Sequence, residues 1–106
     1  QFNALEDRND VGGLFENFVV MERLKSNAYL NRICETFFWR TYDGQEIDML
    51  EERAGKLFGY EIRWSARSSV KVPKVWKSTY PGSQMEQITK ENFLSFVLEK
   101  KVKRRE

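Results

Sequence analysis

Histidine is absent from this chain, and cysteine occurs once, at Cys34. Without histidine there is no Ser-His-Asp or Cys-His triad, no HExxH zinc site and no zinc deaminase motif. One cysteine allows neither an intrachain disulfide nor a thiolate metal cluster. It suits a reducing compartment, so a cytoplasmic location is expected, with Cys34 itself an inert small hydrophobe. Proline occurs twice and glycine six times in 106 residues, which argues against a disordered or fibrous chain. The longest apolar run, Phe18 to Met21, is far short of the ~20 residues that a membrane helix needs, so no membrane partner is expected. No secretory signal is expected from the opening residues. Gln1 in place of Met suggests a piece of something longer.

The chemistry that remains must use carboxylates, Lys/Arg, hydroxyls or a hard metal ion. Apolar residues make up 41% and charged residues 32%, the balance of a single globular domain. The net charge of +2 hides an asymmetry. Residues 1–52 carry five Lys/Arg against eleven Asp/Glu, residues 53–98 eight against three, and the tail 99–106 five against two. The acidic and basic parts can neutralise each other within the fold. The sharper reading is a positive surface around Arg53, Lys56, Arg63, Arg67, Lys71, Lys74 and Lys77 that meets a polyanion such as DNA.

Asn9 or Asp10 is placed to cap a helix over residues 11–25. Val11, Leu14, Phe15, Phe18 and Met21 share one stripe, and Val20 and Leu24 lie opposite. Three strand-like runs follow. Thr36 to Tyr42 is rich in aromatic and β-branched residues. Asp43-Gly44 is a hairpin turn signal. In Gln45 to Glu52, Ile47 and Met49 alternate with Glu46, Asp48 and Leu50. After a turn at Ala54-Gly55, Phe58, Tyr60, Ile62 and Trp64 alternate with Leu57, Gly59, Glu61 and Arg63. Pro73 opens a short helix over 74–79. Gln84 to Thr89 reads as a fourth strand. Thr89 caps a last helix over 90–98 whose Phe93, Leu94, Val97 and Leu98 pack inward. The order is α-β-β-β-α-β-α, a mixed α/β (α+β) domain over 1–98 with a basic tail at 99–106. The helix between the third and fourth strands implies that they pair in parallel through a crossover.

Asp48 and Glu61 fall on adjacent strands and can share a face with Arg63. Two carboxylates beside a cation are what a Mg²⁺ site for phosphodiester chemistry needs, because Mg²⁺ takes oxygen ligands and activates a water. Glu16, on the first helix, can be aimed at the same spot. The alternative is that Asp48 and Glu61 are neutralised by Arg63 and Arg40 without a metal. Glu22 reads as the structural partner of an Arg. Trp39, Trp64 and Trp76 could stack bases but read as core. Ala54-Gly55-Lys56-Leu57 lacks the upstream Gly and following Ser/Thr of a P-loop, so no ATP site is expected within these residues.

Gly12-Gly13-Leu14-Phe15-Glu16-Asn17-Phe18, Phe38-Trp39-Arg40-Thr41, Glu46-Ile47-Asp48, Tyr60-Glu61-Ile62-Arg63-Trp64, Tyr80-Pro81-Gly82 and Ile88-Thr89 together cover nearly the whole chain. This ordered set resembles the uncharacterised C-terminal domain of a large family of prokaryotic AAA+-type ATPases. The resemblance implies a restriction-endonuclease-like, PD-(D/E)XK fold, and the rest of the ATPase chain as a partner. It implies that Glu16 matches the helix glutamate of that fold, that Asp48 and Glu61 match its two metal-binding acids, and that the Ile62 carbonyl is a further Mg²⁺ ligand. Arg63 stands where the pattern usually has Lys. Arginine stays protonated and cannot act as a base. It can neutralise a phosphate, or pair with Glu61 or Asp48 in place of a metal. The expected function is therefore a nuclease-like domain that contacts DNA through a degenerate Mg²⁺ site. The alternative is an inactive scaffold for docking to a protein partner or to the ATPase part.

Overall fold

The computed structural model describes residues 8–70 and 72–98, with the backbone alone for 8–10. Lys71 and the basic tail 99–106 lie outside the described residues. The elements are α1 (Arg8–Tyr29), β1 (Glu35–Arg40), β2 (Glu46–Arg53), β3 (Lys56–Ile62), α2 (Lys74–Thr79), β4 (Gln84–Ile88) and α3 (Phe93–Leu98). Their order is the one the sequence implies. The sheet runs β1-β2-β3-β4. β1 with β2 and β2 with β3 are antiparallel, and β3 with β4 is parallel. The crossover through α2 is what makes that last pairing parallel.

α1 is longer than the pattern suggested, and its buried face is a different one. Asn9 and Asp10 lie inside the helix, not at its cap. The buried line is Phe15, Val19, Arg23 and Asn27, while Leu14, Phe18 and Met21 are exposed. Fourfold spacing keeps that line on one face. Two polar residues occupy its second half, so a search for apolar periodicity misses it. The helix ends at Asn31, whose φ of 56° reverses the chain. There the Asn31 N–H bonds the Ala28 carbonyl and the Arg32 N–H bonds the Asn27 carbonyl, which is a Schellman motif with Asn in the left-handed position.

The sheet carries one apolar cluster on each face. Phe15, Val19, Met49, Tyr60, Ile62, Ile88, Phe96 and Val97 join α1 and α3 to the sheet. Ile47, Leu50 and Trp76 form the other cluster beneath α2, flanked by Trp39, Leu57, Val72 and Met85. β2 serves both, and its alternation is broken. Phe37 pairs with Leu50 and Trp39 with Ile47, so β2 spends three steps where β1 spends two. The extra residue is a β-bulge at Asp48-Met49. It puts Met49 in the α1 cluster while Ile47 and Leu50 stay in the other, so the strict alternation read from the sequence does not hold. α3 begins at Phe93 and buries Phe96 and Val97, whereas Leu94 and Leu98, expected inside, are exposed. A six-residue helix has room for one inward turn, and Phe96 takes it against Tyr60 at 4.6 Å.

A buried ionic cluster ties the layers together. Arg23 Nε and Nη2 donate to the two Glu51 carboxylate oxygens at 2.8 and 2.9 Å, and Nη1 donates to the Phe96 carbonyl at 2.7 Å. Asn27 Nδ2 and Arg53 Nη1 also donate to Glu51, each at 3.0 Å. Burial alone would push the Glu51 carboxyl up. The bonds from Arg23 and Asn27 and the charges of Arg23 and Arg53 outweigh it and hold it below its ordinary value. Removing one partner of such a pair leaves an uncompensated buried charge, so Glu51→Ala is expected to cost about 3–5 kcal/mol in urea unfolding. A depressed folded value also means that Glu51 stabilises the fold above about pH 4.5 and that this is lost as pH falls further. Glu51→Gln is expected to flatten the acid limb of stability against pH.

Candidate functional site

The cleft at one end of the sheet has a volume of about 1120 Å³, and its lining includes Glu16, Asp48, Glu61, Arg63, Trp64 and Arg67, together with Gly12, Gly13 and Lys74. All four residues singled out from the sequence, Glu16, Asp48, Glu61 and Arg63, therefore border one cavity. They arrive from three elements, α1, β2 and the end of β3. Glu16 comes from α1. By alternation with Leu57 and Gly59, Glu61 belongs to the opposite face of the sheet. Asp48 sits at the bulge, where β2 and β3 part beyond the Met49–Tyr60 pair. Its Oδ2 accepts the Ile62 N–H at 2.8 Å, so a side chain supplies a bond that the strand ladder no longer makes.

The charges in this cleft are met from within the protein. Glu16 is pushed up to about 7, first by burial, then by the charges of Asp48 and Glu46 and a hydrogen bond with Asp48. A protonated Glu16 donating to Asp48 is the arrangement that avoids two adjacent anions. The Asp48 carboxyl is also raised by burial, against the lowering effect of the Ile62 N–H, with Glu46 and Glu61 raising it further. Arg67 Nε pairs with Glu61 Oε2 at 3.1 Å. Arg40 pairs with Glu46 at 2.8 Å rather than with Asp48. Arg63 sends its Nε to the Ser65 carbonyl at 3.2 Å, and its charge acts on Asp48 from a distance.

These partners decide how the residues suit a metal. Carboxylates and the Ile62 carbonyl are the oxygen donors that Mg²⁺ takes. The arrangement, however, gives each acid a proton, an N–H or a guanidinium. Among the described residues no group of three or more His, Cys, Asp or Glu side chains stands close enough to hold a metal ion. As they stand, Asp48 and Glu61 are already met by the Ile62 N–H and by Arg67.

Two features of the site were not legible in the sequence. Arg67 was one of two cations in the polar segment 65–72, and only the fold brings it to Glu61. Trp64, read as core, is 42% exposed and borders the cleft. Its ring meets Phe15 edge-on at 5.3 Å, and Lys90 Nζ stands 5.2 Å from its centre. Outside the cleft, Glu22 pairs with Lys25 at 3.0 Å, and among the described residues no Arg takes the place the sequence suggested. Trp76, by contrast, is 1% exposed, as a core residue should be.

Glu16 gives the cleft a pH signature. Its folded value lies above the ordinary value of 4.5, so the folded state holds the proton more tightly. The resulting stabilisation is complete below pH 4.5 and is lost as pH rises through about 7. Thermal midpoints at pH 5.5 and pH 8 are expected to differ more in the parent protein than in Glu16→Gln. An equal difference in the two would contradict the raised Glu16 value.

No described helix is long and apolar enough to cross a membrane. Neither the curated proteins nor the solved structures include a significant match to this chain. A family model does match, over residues 11–103, and that span contains every residue of the cleft described above. The chain therefore belongs to the family described as a domain of unknown function, DUF4143.

Proposed function

We propose that this domain is the C-terminal, restriction-endonuclease-like part of an AAA+-type ATPase, and that it contacts DNA through a cleft that has lost its Mg²⁺-dependent chemistry. The observation that carries this reading is the internal neutralisation of the acids. With Glu16 protonated and Glu61 paired to Arg67, the repulsion that ionised carboxylates would exert on a phosphate is much reduced. Arg63 and Lys74 border the same cleft and offer charge-assisted hydrogen bonds to phosphate oxygens. The exposed part of Trp64 offers a surface on which a base can stack. The mixed sheet with its parallel crossover, and the placing of Glu16, Asp48, Glu61 and Arg63 around one cavity, support the nuclease-like ancestry. Arg63 in place of Lys removes the group that could have lost a proton to assist an attacking water.

Binding of this kind is electrostatic and weakens with salt. In fluorescence anisotropy with a labelled DNA duplex, the Arg63→Glu/Lys74→Glu variant is expected to bind roughly tenfold more weakly and with a shallower salt dependence. Unchanged binding in that variant would contradict the cleft as the contact surface. Mg²⁺ or Mn²⁺ is expected to produce no strand cleavage.

A second reading is docking to the ATPase part of the chain. It is favoured by the exposed apolar line of Leu14, Phe18 and Met21 on α1, beside Leu94 and Leu98 on α3. Phe18 and Phe93 meet at 6.0 Å, so the two helices present one continuous surface. Adding the separately produced ATPase part is then expected to shift amide resonances at Leu14, Phe18, Met21 and Leu94. Shifts confined to the cleft would count against this surface.

A further inference from the structure

We infer that Arg67 is a built-in counter-cation that takes the place of a divalent ion at Glu61, and that Gln87 holds it there. The inference deepens the reading of the cleft given above, because it says how the cleft refuses a metal. Arg67 lies outside regular structure, in the segment between β3 and α2. A side chain on such a segment would ordinarily sample many positions, and a surface ion pair made by it would be weak. Here the backbone is fastened. The Gln87 side-chain amide accepts from the Arg67 N–H through Oε1 and donates to the Arg67 carbonyl through Nε2, the latter at 3.3 Å. One amide thus binds both polar groups of one peptide residue, much as a neighbouring strand would. Gln87 is itself fixed, since it belongs to β4, where it pairs in register with Glu61 of β3. The residue that carries the carboxylate and the residue that positions its cation are therefore partners across the same parallel ladder.

This geometry gives Arg67 a role different from the one the sequence suggests for Arg63. Arg63 follows Glu61 by two residues, yet its Nε turns to the Ser65 carbonyl. Arg67 brings a full positive charge to 3.1 Å from Glu61 Oε2. A divalent ion at that carboxylate would have to displace the guanidinium or endure it as a like-charged neighbour. Arginine cannot yield by losing a proton. The cleft is held closed to a metal by a cation of its own.

The test is a titration of the isotope-labelled domain with Mn²⁺, read as paramagnetic broadening of the Asp48, Glu61 and Ile62 amides. The parent protein is expected to show no saturable broadening there at low Mn²⁺. Arg67→Ala is expected to bind Mn²⁺ roughly tenfold more tightly or better, and Gln87→Ala, which leaves every charge in place, to fall between the two. Equal affinity in the parent and both variants, or no binding in any of them, would overturn the inference. Gln87→Ala keeps the test open should Arg67→Ala fail to fold. DNA binding measured on the same samples separates the two claims. Intact binding with no gain of Mn²⁺ sinks this inference alone, and absent binding in the parent sinks the reading of the cleft.

Discussion

Glu51 has no exposed surface, and its charge must be met where it lies. The partners that meet it fix how α1 sits on the sheet. Arg23 and Asn27, one turn apart on α1, both reach it, and Arg23 goes on to the Phe96 carbonyl on α3. That one cluster sets the position of the helix along β2. Glu16 precedes Arg23 by seven residues, which is two helical turns and about 10 Å along the same face. Asp48 precedes Glu51 by three residues, which is also about 10 Å along an extended strand. The two distances match, so fixing Arg23 on Glu51 delivers Glu16 to Asp48. The structural anchor and the cleft are two ends of one alignment.

The alignment also needs the bulge. Residues three apart on a regular strand point to opposite faces. Asp48 and Glu51 both meet α1 because the extra residue at Asp48-Met49 changes the phase between them. The same irregularity parts β2 from β3 and frees the Ile62 N–H for the Asp48 carboxylate. A local departure from strand geometry thus opens the cleft and places the residue at its centre. Around that residue stand the raised Glu16 carboxyl and the Ile62 N–H, while Arg67 meets the neighbouring Glu61.

The element order was legible in the sequence because its signals are local. Asp43-Gly44 and Ala54-Gly55 mark turns, and Gly44, Ala54 and Gly55 do adopt positive φ. The alternation in β3 follows the pleat, and Pro73 stands just before α2. Asp48, Glu61 and Arg63 could be named from their strand positions and Glu16 from its place on the first helix, and a resemblance then carried the four as a set. The buried face of α1 was hidden, since Arg23 and Asn27 break an apolar pattern and draw their burial from Glu51, 28 and 24 residues away. Arg67 was hidden for a related reason. Its place depends on Gln87, 20 residues further on, and nothing in the loop's own composition points there. The bulge has no glycine or proline to announce it.

The central claim is that the protein's own proton, and not a metal, balances the acids at Asp48. It is tested most directly by following the Glu16 side-chain carboxyl carbon through a pH titration by NMR, with and without millimolar Mg²⁺. The account predicts a midpoint near 7 that Mg²⁺ leaves in place. A midpoint that falls by about one unit or more when Mg²⁺ is added would contradict it, because a bound cation would then be displacing the proton.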